Sequence, residues 1–151
     1  MVLNWYTKTI VGHYAGLRCT TQHGLLALDM AVNRQFPHGT REQTLSLMND
    51  HGCQPTSVAF MRARGTLGIQ QAFTSDYNPK GNADTERVTR TLQAECLWLK
   101  EWTCPSVLIQ ALEAWIDDDN AHDLHSALGY KPPREFEREY YVSHGTQLPA
   151  A

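Results

Sequence analysis

Two carboxylates, Asp50 and Glu86, lie far apart in sequence, and acids brought to one edge of a sheet can build a divalent-metal site for phosphodiester chemistry. Asp50 ends the apolar stretch that includes Leu45, Leu47 and Met48. A helical segment and a second short strand follow. A turn, Pro79-Lys80-Gly81-Asn82, then opens a helix that carries Glu86. Acids distant in sequence can thus reach one edge of a sheet. The residues alone also allow plainer roles. An Asp after an apolar run can start a turn through its side-chain oxygen. Glu86 can pair with Arg90 one helical turn on.

The elements around these acids follow from hydrophobic period and punctuation. Val2 to Tyr14, rich in Val, Ile, Trp and Tyr, reads as two short strands around Gly12. Thr20 or Thr21 caps a helix running to about Gln35, with Leu25, Leu28, Val32 and Phe36 as its stripe and Pro37 as its stop. Thr44 to Met48 reads as a strand, Thr56 to Arg64 as a helix with Ala59, Phe60 and Ala63 inward, and Ile69 to Thr74 as a strand. Ser75 to Gly81 is a polar turn-rich loop. Asn82 can cap the Glu86 helix, whose buried stripe reads Val88, Leu92, Cys96 and Leu99. Glu86, Arg90 and Gln93 share another face. Lys80, Arg87 and Arg90 are candidate phosphate contacts, although solvated charge on a helix face explains them too. A further helix runs from about Ser106 to Asp118, with Pro105 suited to its first turn. Asp117, Asp118 and Asp119 follow at its C-terminal end, where negative charge opposes the helix dipole. A terminal helix follows Pro132-Pro133 through Tyr140, with Phe136 and Tyr140 able to fold back on the core.

Composition sets the frame. A chain of 151 residues suits one domain with a real core, and 42% hydrophobic residues with four Trp argue for a folded protein. No apolar run is long enough to span a membrane and no signal peptide is visible, so a cytoplasmic protein is expected. Cys19, Cys53, Cys96 and Cys104 form no Cys-x-x-Cys pair, which argues against a zinc knuckle. His122 and His125 stand three apart, with no partner set that completes a zinc site. The net charge of −3 argues against a freestanding DNA binder, but the acid is uneven: residues 62–100 carry six basic and four acidic groups, residues 101–151 three and nine.

Five phrases carry a resemblance. They are V-L-N-W-Y-T-K-T-I-V-G at 2–12, N-D-H-G-C-Q-P-T-S at 49–57, L-G-I at 67–69, N-P-K-G-N-A-D-T-E-R at 78–87 and L-H-S-A-L-G-Y-K-P-P at 124–133. In their order and spacing the chain resembles the integrase-type catalytic core of bacterial insertion-sequence transposases, in the retroviral-integrase superfamily. The likeness covers residues 1–141 and leaves 142–151 as a tail.

The resemblance implies an α/β, ribonuclease-H-like fold, a mixed five-stranded sheet flanked by helices. It implies Mg2+ (or Mn2+) held by three carboxylates, DNA ends and target as substrates, and self-association or co-assembly with a full-length transposase. Asp50 matches the family's second acid and Glu86 the third, with 35 residues between them. The first acid lies on a strand upstream of V-L-N-W-Y, a central strand this sequence does not show. Neither Asn4 nor Asp29 stands in its place. The expectation is therefore a catalytic core of a DNA transposase carrying two of three catalytic carboxylates and impaired alone. The alternative is a non-catalytic remnant that binds DNA or modulates a full-length transposase. Without its central strand, the first hairpin would pair with the Asp50 strand, accept a strand from another chain, or leave the chain poorly folded.

Overall fold

A computed structural model of the chain describes residues 1–16, 18–49, 56–73 and 83–145. Its elements run β1 (Val2–Leu3), β2 (Ile10–Gly12), α1 (Thr21–Gln35), β3 (Ser46–Asn49), α2 (Val58–Thr66), β4 (Gln70–Phe73), α3 (Ala83–Leu92), a π-helical turn (Gln93–Leu97), α4 (Pro105–His122), a 3-10 turn (Ser126–Leu128) and α5 (Pro133–Ser143). Contacts divide the chain into two compact units. One is built on Val11–Asp84, the other on Leu3–Ile10 with Thr85–Leu148.

Strands β1 and β2 pair in a two-stranded sheet. Their connection is too short for a parallel crossover, so they form a hairpin. The bend falls at Asn4 to Lys8 and not, as the sequence suggested, at Gly12. The Asn4 side-chain oxygen accepts from the backbone N–H of Tyr6 at 3.0 Å and of Thr7 at 3.2 Å, and Lys8 takes a left-handed φ of 59°. Gly12 instead lies within β2, under α1. A Cβ at this position would sit 2.2 Å from the Ala27 carbonyl oxygen, so the close approach requires glycine.

In the first unit, Thr20 caps α1 as expected and the helix stops before Pro37. Strands β3 and β4 pair in parallel, with Ser46 opposite Gln70 and Asn49 opposite Phe73. Helix α2 crosses between them, a compact βαβ unit. Leu28, Phe60 and Ile69 form its core, with Leu25, Val32, Leu45, Leu47 and Leu67 packed around them. Ser57 caps α2 by accepting from the Phe60 N–H at 3.3 Å. The helix runs through Gly65 to Thr66 and ends where Gly68 turns left-handed, at φ +71°. Phe60 faces the core, Ala63 is half-buried and Ala59 points outward, against expectation. The carbonyls past the helix end are held by side chains: Thr40 Oγ1 donates to Leu67 at 2.6 Å, Arg41 Nε to Thr66 at 3.3 Å and Arg64 Nη1 to Ile69.

In the second unit, Ile10, Val88 and Ile116 form the core with Leu3 and Trp115 against them. Pro105 opens α4 as read, but the helix continues to His122, so the three aspartates lie inside it. The stripe expected on α3 holds for Val88, Leu92 and Cys96 and fails at Leu99, which is 71% exposed. The cause is the π-helical turn, where the Trp98 N–H donates to the Gln93 carbonyl five residues back at 2.9 Å. The wider turn shifts the helical phase, and the helix then ends. Helix α5 packs on α4, and Tyr6 meets Phe136 and Tyr140 at centroid distances of 5.6 and 5.1 Å.

Among the described residues the strands make two separate pairs, β1 with β2 and β3 with β4. The hairpin therefore does not add to β3, one of the three outcomes expected for the sheet. The edge of β2 is met differently. Thr9 turns its carbonyl to the Asn4 N–H, so Ile10, next along, points its backbone groups away from β1. There Asn120 of α4, fully buried, accepts from the Ile10 N–H at 2.8 Å and donates to the Ile10 carbonyl at 3.0 Å. Its amide stands where a neighbouring strand's peptide would.

Candidate functional site

Strand β3 ends at Asn49, the residue before Asp50. Alternation along the strand leaves Leu47 and Asn49 half-buried and Ser46 and Met48 exposed. Asn49 Oδ1 accepts from Gln71 Nε2 at 3.5 Å across the parallel pair, while its Nδ2 is buried without a partner. Asp50 lies outside the described residues, as do Lys80 and Asn82.

Glu86 stands at the end of the first turn of α3, exposed to solvent. Val88 points into the core, which turns Glu86, Arg87 and Arg90 outward. Thr85 and Arg87 accept, through their carbonyls, from Thr89 Oγ1 at 2.8 Å and Thr91 Oγ1 at 3.1 Å. An exposed carboxylate and two exposed guanidiniums thus share the solvent side of one helix. The carboxylate is a hard oxygen donor of the type Mg2+ prefers. Among the described residues no group of three or more His, Cys, Asp or Glu side chains is gathered to hold a metal. His122 is engaged by Asp118 instead, at 2.7 Å.

Comparison with known proteins fits this arrangement. The Integrase core domain family matches residues 67–133, a stretch that includes Glu86, Arg87 and Arg90. The transposase for insertion sequence element IS629 of Shigella sonnei is 27% identical over 150 residues, covering 99% of this chain and 49% of the relative. The transposase for insertion sequence element IS904 of Lactococcus lactis is 28% identical over 95 residues, 62% of this chain and 38% of that protein. The catalytic core domain of BIV integrase superposes with a TM-score of 0.62 at 21% identity, covering 92% of this chain and 86% of that one. The chain is thus similar to the integrase-type cores of insertion-sequence transposases. The chain spans about half the length of the IS629 relative.

Its fold is the integrase fold, ribonuclease-H-like, with β3 and α3 carrying the ends of the segment between the two acids. Asn120 escaped the sequence reading, and the burial of Asp119 was not anticipated. Asn120 follows Leu112 and Ile116 at four-residue steps, so helical period alone puts it on the core face. The run of three aspartates before it hid that signal. Asp119 is 4% exposed and its Oδ2 has no hydrogen-bond partner.

Proposed function

We propose that this integrase-type core takes part in metal-dependent cleavage and transfer of DNA strands. The observation that carries the reading is Glu86, open to solvent on α3 inside the segment that matches the Integrase core domain. Asp50 and Glu86 are the metal-holding and catalytic pair, with oxygen donors suited to Mg2+ or Mn2+. When bound, such ions activate an attacking water or 3′-hydroxyl and stabilise the leaving oxygen at phosphorus. Asp50 and Glu86 match the second and third acids of the family's set.

Lys80, Arg87 and Arg90 hold the phosphate backbone in register with those carboxylates, since phosphate contacts position a duplex without reading its sequence. Transposon ends and target DNA are the substrates. Assembly with further transposase chains brings two ends together.

The test is Mn2+ binding by calorimetry on the chain beside Asp50→Asn and Glu86→Gln. Binding that each substitution weakens at least tenfold supports a shared site. Binding indifferent to both changes defeats the reading and leaves a non-catalytic partner of a transposase.

A further inference from the structure

Asp119 sits on the last turn of α4, buried, with Oδ2 lacking any hydrogen bond. The group of opposite tendency facing it is His125, whose Nε2 is 3.9 Å from that oxygen. This is too long for a hydrogen bond and short enough for strong coupling. His125 is the anchor of a loop. Its backbone N–H donates to the Lys131 carbonyl at 3.2 Å, and its own carbonyl accepts from Leu128 and Tyr130, each at 2.9 Å. Leu128 is buried and Gly129 turns left-handed, so the backbone of 125–131 is a closed unit. The imidazole is the part of that unit that faces α4.

The charges around Asp119 are of one sign. Glu95 approaches from the π-helical turn, Asp118 from α4 and Asp123 from the residue that ends α4. Among the described residues, Arg134 pairs with Asp117 at 2.6 Å and Lys131 with Glu139 at 2.5 Å. Glu95 accepts from Trp115 Nε1 at 3.1 Å, which holds its side chain beside α4.

We propose that Asp119 and His125 form a proton-operated clasp that fastens the 125–131 loop to α4. With the imidazole neutral and the carboxyl ionised, the clasp is slack: the buried Oδ2 has no donor and the carboxylate faces three others. One added proton closes it. The proton either makes an imidazolium that donates to Oδ2 or makes a neutral carboxyl that no longer opposes Glu95, Asp118 and Asp123. Both forms remove the unpaired buried charge.

The direction of the pH effect follows. Burial first, then Asp123, Glu95 and Asp118, push the Asp119 carboxyl from 3.8 up to about 6. The native state therefore binds more protons than the unfolded chain between those values, and stability falls as pH rises through that window. Its contribution is complete below the lower value and gone above the upper one.

The experiment is thermal unfolding of the 151-residue chain from pH 5 to pH 8, beside Asp119→Asn and His125→Gln. The expected result is a melting temperature that drops by several degrees across the range in the parent chain. Asp119→Asn flattens that drop and melts above the parent at pH 8, because the isosteric amide carries no charge. Parallel profiles for parent and Asp119→Asn overturn the clasp. Should Asp119→Asn fail to fold, His125→Gln decides: the clasp requires the transition in stability to move to lower pH, and an unmoved transition overturns it. The imidazole resonance of His125, followed by NMR, supplies a readout that a purely structural role would not move. Its titration must shift to lower pH when Asp119 becomes Asn.

Discussion

Asn120 holds the backbone of Ile10 through both ends of one amide, at 2.8 and 3.0 Å. Replacing it with Leu would leave a buried N–H and a buried carbonyl without partners, each costing ~1–3 kcal/mol. The expected loss for Asn120→Leu is therefore about 3 kcal/mol, read from urea unfolding. Asn120→Asp is expected to cost a comparable amount, because a carboxylate can accept from the N–H but repels the carbonyl. Gly12→Ala belongs to the same class, since its new methyl would meet the Ala27 carbonyl and the Ala31 Cβ at 2.2 and 2.9 Å. Backbone must move to admit it, with a loss of ~1–3 kcal/mol or more. At this scale the sequence was legible in placing Glu86 on a helix, away from its buried stripe, where the structure has it exposed. It was not legible at Asn120, where three preceding aspartates suggested a solvated helix end, or at Gly12, where closeness to α1 is a tertiary fact.

At the scale of elements, periodicity located the helices, placed both ends of α1 and erred at the ends of α2 and α4. The terminus of α2 is set by Ser57 at one end and by Gly68, with Thr40 and Arg41 reaching over the last carbonyls, at the other. Partners so far along the chain leave no local mark. Ser57→Ala should lower stability by about 1 kcal/mol through loss of the cap. The Leu99 error has a different source. A strict 3.6-residue period cannot anticipate a π-helical turn. Leu99→Lys is therefore expected to change stability by less than ~0.5 kcal/mol, while Val88→Lys on the same stripe costs several. Equal losses at both positions, measured by chemical denaturation, would show that the phase shift at Gln93–Leu97 is absent in solution.

Over the whole molecule, charge is unevenly spread, and this bears on DNA affinity. Residues 101–151 carry nine acidic and three basic groups, so any attraction to phosphate rests on the preceding part of the chain. Arg87 and Arg90 are exposed on α3. If both contact phosphate, replacing both with Ala should reduce the slope of log affinity against log salt by about 1.8, near 0.9 per contact. A titration of a duplex at several salt concentrations measures it, and an unchanged slope removes both residues from the interface. No described helix is long and apolar enough to cross a membrane. The chain's order of phrases gave the fold class more clearly than composition did, because a charge of −3 and 42% hydrophobic residues suit many unrelated folds.

The bridge between Ile10 and Asn120 joins residues 110 positions apart. Closing so long a loop costs entropy before the two hydrogen bonds return anything. Contacts of this range slow folding, and they form only once both ends are already ordered. The Ile10 amide proton should therefore be among the last to gain protection in refolding. In the native chain it should exchange with solvent only when the second unit opens as a whole. A single amide at the start of the chain thus becomes a clock for the docking of a helix near its other end.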